Sequence, residues 1–108
     1  ELGACLEESF SSLKLMGIEC ALTAPVGERI YVQDAVYIYS FFESIVEACV
    51  DSIQFMWVKI RPCGEELIVC MEAESEANLS SFFDKTEKGE YEDGVWKFTF
   101  TVKKAGEK

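Results

Sequence analysis

The strongest alternation in the chain lies near its C-terminus. In VWKFTFTV, residues 95–102, Trp96, Phe98, Phe100 and Val102 alternate with Val95, Lys97, Thr99 and Thr101. A period of two predicts a strand with one face buried. Asp93-Gly94 just before it, after EYE, predicts a closing hairpin. QFMWVKIRP (54–62) and LIVCMEAE (67–74) are two further strand-like runs separated by the turn CGEE. They are expected to pair as a hairpin, and their near-continuous apolarity predicts a sheet covered by helices on one side.

The N-terminal half has a different period. Leu2, Leu6, Phe10 and Leu13 recur at helical spacing over residues 2–16, with Met16 at the margin of the same stripe and Gly17 as the stop. IECALTA (18–24) alternates again and predicts a half-buried strand. PVGE (25–28) predicts a turn and RIYV (29–32) a short second strand. A long helix is expected next, capped by Gln33 or Asp34 and running to about Ser52. Its apolar positions are Val36, Tyr37, Tyr39, Phe41, Phe42, Ile45, Val46, Cys49 and Val50. Its β-branched content is high, but length and the 3–4 spacing favour helix. So wide a stripe predicts a helix lying mostly buried on the sheet. Residues 75–84 predict a short helix with Leu79, Phe82 and Phe83 inward, 85–94 a polar loop and turn, and KKAGEK a fraying end. No repeat or linker interrupts the order. Hairpin strands with helices at one face define an α+β fold: a two-layer sandwich on a mixed, mostly antiparallel sheet.

The chain has 108 residues, enough for one domain spanning 1–108, and 49% of them are hydrophobic. Twenty acidic residues against ten basic ones leave a net charge of −10. That balance argues against nucleic acid as a partner, because displacing counterions from phosphates needs a basic face. It argues equally against docking on an anionic membrane. No apolar run approaches the ~18–20 residues of a membrane span, so no direct insertion is expected. The chain opens at Glu1, inside a predicted helix and without a signal peptide, and is expected to be a piece of a longer, cytoplasmic protein.

Cys5, Cys20, Cys49, Cys63 and Cys70 are odd in number and contain no close pair. They are expected to be reduced, mostly buried thiols, with Cys63 in its turn exposed. With no histidine in the chain, Ser-His and Cys-His catalysis are excluded and a zinc site is not expected.

The residues with candidate chemistry are acidic. Glu43 and Glu47 stand one turn apart in FFESIVEACVDS, with Asp51 one turn further. Glu72 and Glu74 follow in the strand LIVCMEAE. Taken alone, Glu43 and Glu47 are the solvated stripe of a core helix. Tyr37, Tyr39, Phe41, Phe42, Trp57 and Trp96 are likewise core aromatics.

Three stretches together resemble the GHKL, or Bergerat-fold, ATP-binding domain of sensor histidine kinases. LGACLEESFSSLKLMGIECALTA is similar to the helix and strand that open such domains. YIYSFFESIVEACVDS is similar to their N-box helix, and DGVWKFTFTVKKAG to their closing hairpin. The resemblance implies that Glu43 takes the position of the glutamate that helps activate water. Glu47 takes that of the asparagine that holds magnesium, and Glu72 or Glu74 that of the aspartate that reads adenine.

Several parts the resemblance calls for are missing. The glycines of the adenine motif are replaced around Ala73, Ser75 and Ala77. Between Glu74 and Glu90 there is one glycine, Gly89, and no room for a phosphate-covering lid. Like charges at positions 43 and 47 also repel a triphosphate.

The expectation is therefore a truncated domain that lacks the ATP lid, with no catalytic or metal-binding residues of its own. Glu43, Glu47, Glu72 and Glu74 are its remnant cofactor positions. No cofactor is expected, and the domain would act by contact with other domains of a longer signalling protein, a helical dimerisation segment among them. Phe55, Trp57 and the outer face of the first helix are the candidate contacts. One alternative is an active histidine kinase domain that binds ATP and magnesium at a divergent site. The other is an unrelated α+β ligand-binding module.

Overall fold

Five strands form one sheet in the order β1-β2-β3-β5-β4. In chain order they are β1 (Glu19–Thr23), β2 (Phe55–Cys63), β3 (Glu66–Glu74), β4 (Lys88–Glu92) and β5 (Val95–Lys103). The structure is a computed structural model that describes residues 2–23 and 30–104. Only β1 and β2 pair in parallel among the described residues, and every other pairing is antiparallel. Parallel strands need a crossover between them. Helix α2 (Val32–Cys49) supplies it, and helix α1 (Leu2–Leu15) packs beside α2 on the same layer. The fold is the α+β two-layer sandwich.

Alternation decides which face is covered. Met56, Val58 and Ile60 of β2, Leu67, Val69, Met71 and Ala73 of β3, and Trp96, Phe98 and Phe100 of β5 are buried in one core. Leu6, Phe10 and Leu13 of α1 join them, with Ile38, Phe41, Phe42, Ile45 and Cys49 of α2. Burying each of the larger side chains stabilises the fold by about 1.5–3 kcal/mol relative to exposure. The Phe41 ring meets Phe82, Phe98 and Phe100 edge-on, with centroids 5.6, 5.7 and 5.5 Å away. Edge-to-face contacts at such distances add to the area term.

Several expectations need correction. The strand expected at 29–32 does not form over its described residues, 30–32. Ile30 makes a single bridge to Lys104, Tyr31 is the N-cap of α2 without a side-chain cap bond, and neither Gln33 nor Asp34 caps the helix. Helix α2 is less buried than its apolar stripe suggested, because Val36 and Tyr37 are exposed. Met16 is exposed too. Trp57 lies on the sheet face away from the helices, stacked on Phe55 at 4.7 Å, rather than in the core. Cys49 and Cys70 are buried and Cys63 is exposed as expected, but Cys5 is exposed as well. The predicted polar loop contains strand β4, and the predicted short helix is the 3-10 helix Ser80–Lys85. The turn expected at 25–28, the fraying end beyond Lys104 and the side chain of Leu2 fall outside what is described.

The last hairpin forms as expected. Asp93 and Gly94 both have positive φ, 53° and 88°, the backbone a tight two-residue turn requires. Gly89 has a different reason to be glycine: a Cβ there would run into the Phe83 ring, which lies across β4. Gly89→Ala is therefore expected to destabilise the protein by about 1–3 kcal/mol through overpacking. Urea unfolding would measure it, and the penalty should largely vanish in a Phe83→Ala background.

Candidate functional site

Glu43 and Glu47 are both exposed on the solvent side of α2, opposite the stripe of Ile38, Phe41, Phe42, Ile45 and Cys49. Asp51 is exposed just past the helix end. Near Glu43, the hydroxyls of Tyr39 and Ser9 share a hydrogen bond of 2.7 Å that ties α1 to α2. That bond is the largest influence on the Tyr39 phenol and lowers its pKa. Burial and the Glu43 carboxylate together outweigh it, so the net shift is upward.

Glu72 and Glu74 are elsewhere. Successive side chains of a strand point to opposite faces. Met71 and Ala73 face the helices, so Glu72 and Glu74 face away from them. The four carboxylates do not share one site: one pair lies outside the helix layer, the other on the open face of the sheet. Among the described residues, no three acidic or thiol groups gather closely enough to hold a metal ion.

The residue that turns inward at the end of β3 is Ser75, 4% exposed and the only buried polar residue among those described. All of its polar atoms are used. Its N–H donates to the Gly94 carbonyl (3.0 Å), and its own carbonyl accepts from the Trp96 indole (3.4 Å). Its hydroxyl pairs with that of Ser52 (2.7 Å) and accepts from the Ala77 N–H (3.0 Å). The end of α2, the exit of β3 and the start of β5 are joined here. A buried polar group is tolerated when satisfied in this way.

The segment after Ser75 closes onto α2. Phe82 packs edge-on against Phe41, the Tyr37 hydroxyl donates to the Lys85 carbonyl (2.8 Å), and Phe83 packs over Trp96, Phe98 and Gly89. Aromatic side chains fill the space between α2, the 3-10 helix and the sheet.

The open face of the sheet has a hollow of about 300 Å³ that sequence reasoning did not identify. Lys59, Arg61, Lys88 and Lys97 rise around a floor of Ile68, Cys70 and Thr99, with Glu72 and Glu90 at the margin. The available signal was parity: residues 59, 61, 97 and 99 alternate with core positions. Only the strand register brings these four strands together. On the same face the indole N–H of Trp57 is buried with no hydrogen-bond partner among the described residues. No family model and no curated protein matches this chain.

Two outcomes are expected around Ser75. Ser75→Ala should cost about 1–3 kcal/mol in urea unfolding, because the Ala77 N–H and the Ser52 hydroxyl lose their partner. Nearby, burial raises the Cys49 thiol pKa and a hydrogen bond with Ser75 opposes the rise. A raised thiol pKa favours the neutral form in the fold. Its contribution is complete below the unfolded value, about pH 8.5, and is lost as pH climbs through the folded value. Unfolding free energy should therefore decline above about pH 8.5, and decline less steeply in Cys49→Ala.

Proposed function

We propose that this chain is a degenerate ATP-binding-type domain of a sensor histidine kinase-like signalling protein, working through protein contacts and without nucleotide turnover. The observation that carries the reading is Ser75. It stands where the resemblance calls for an adenine-reading motif with glycine backbone, and its hydroxyl, N–H and carbonyl are all committed to holding the fold together. The two-layer sandwich with its long crossover helix supports the same reading. So do the aromatic closure between α2 and the 3-10 helix, and Gly89, the one glycine between Glu74 and Glu90, which serves packing. A polyphosphate needs backbone N–H groups free to point at it.

The contact surface in this reading includes the outer side of α1, where Leu15 and Met16 are 90% and 61% exposed, and the Phe55–Trp57 stack. A helical segment of a longer chain is the partner whose apolar stripe would cover Leu15 and Met16.

A second reading, ATP binding with a divergent site, draws on the exposed Glu43 and Glu47, placed one turn apart where carboxylates can reach a divalent cation. One titration separates the two. Addition of ATP with magnesium is expected to leave the melting temperature unchanged. Binding at a hundred times the dissociation constant would add roughly 2.7 kcal/mol and a plain upward shift. A shift abolished by Glu47→Lys would establish the second reading instead.

A further inference from the structure

We propose that the hollow on the open face of the sheet binds a small multivalent oxyanion, a phosphate or a polycarboxylate, gripped by Lys59 and Arg61, with Lys88 reaching it from the far edge by exchanging its exposed Glu90 partner for the ligand. The register builds this site. Lys59 pairs across with Cys70, Cys70 with Thr99, and Thr99 with Lys88, so one row crosses four strands with a cation at each end and small side chains between. Strands spaced by about 4.8 Å put the two lysine backbones roughly 14 Å apart. Both flexible side chains can bend toward a ligand lying on Cys70 and Thr99. Arg61, opposite Ile68, enters from the next residue of β2 on the same face. Small residues in the middle and long ones outside give the concavity, whose volume of about 300 Å³ suits a compact ligand.

The charge distribution points to an anion. The chain has twice as many acids as bases, yet four of its ten Lys and Arg residues line this hollow. Among the described residues the one ion pair is Lys88–Glu90, at 3.3 Å and exposed. Lys59 lies 5.7 Å over the Trp57 ring, and among the described residues neither it nor Arg61 has a carboxylate within ion-pair distance. Two acids do face the hollow. Glu72 is opposite Lys97 in register, as is Glu90 on the other side. Glu87, nearby, is held by the Thr101 N–H and hydroxyl at 3.2 and 2.7 Å. That leaves Lys59 and Arg61 as the uncompensated charges. A guanidinium matches phosphate and carboxylate oxygens as a fork, and lysines add point charges. At physiological salt the screening length is about 8 Å, so local cations outweigh the distant net charge of −10. A ligand with two or more charged groups can reach cations at both ends of the row. The site lies across the sheet from Glu43 and Glu47 and does not depend on the signalling reading.

The test is amide NMR of the protein titrated in parallel with inorganic pyrophosphate and with citrate at physiological salt. The expected result is a saturable shift confined to residues near 59–61, 68–70, 88 and 97–99, with at least one of the two anions. The anion that saturates identifies the source, phosphate or carboxylate. Lys59→Ala with Arg61→Ala should weaken it by about tenfold or more, Glu72→Gln should tighten it, and Lys14→Ala should leave it unchanged. Three results would overturn the proposal. One is no saturation by about 10 mM of either anion. Another is binding indifferent to the paired substitution. The third is salt-sensitive self-association abolished by that substitution, which would make a second copy of the chain the occupant.

Discussion

The packing of one face of the sheet under α2 is the constraint on which the remaining structure depends. Phe41 is its centre, meeting Phe82, Phe98 and Phe100 edge-on, while Phe42 reaches across to Phe10 of α1. These contacts tie both helices, strand β5 and the 3-10 helix into one apolar unit. Once that face is buried, the parity of every strand residue follows, because a shift by one position would turn Met56, Val58, Met71 and Phe98 to water. Core contacts thus decide where the polar chemistry goes.

That parity has consequences for the candidate site. It turns Glu72 and Glu74 outward and brings Ala73 and Ser75 in. It also leaves the end of β3 as a place where three elements must be joined without water. Ser75 does so with a full set of hydrogen bonds, and the Trp96 indole finds its acceptor there. Nearby, the Phe83 ring rests on β4 because Gly89 carries no side chain. Between α2 and the sheet, these side chains serve cohesion.

The two faces of the molecule differ in charge as well as in cover. Exposed acids lie along α2, and the hollow on the uncovered side of the sheet is lined by four cations and two acids. Apolar contacts are favoured at the end of α1 and beside the Phe55–Trp57 stack.

Much of the architecture was legible without coordinates, since period two and period 3.6 are local signals. Alternation in 95–102 marked β5, Asp93-Gly94 marked its hairpin, and the apolar stripe of 36–50 marked α2. The errors fell where local signals are weakest. RIYV has the composition of a strand, yet Tyr31 is the N-cap of α2 and Val32 its first residue. KGEYE is polar enough for a loop, and edge pairing with β5 made it a strand. For the site, the sequence alone determined that Gly89 is the one glycine between Glu74 and Glu90, that no histidine is present, and that Glu43 and Glu47 lie one turn apart. Only the tertiary structure decided that Glu72 and Glu74 lie across the sheet from them, that Ser75 is a buried junction, and that Lys59, Arg61 and Lys88 share one hollow. Those facts depend on strand register and on which face the helices cover, and both are set by contacts between residues far apart in the chain.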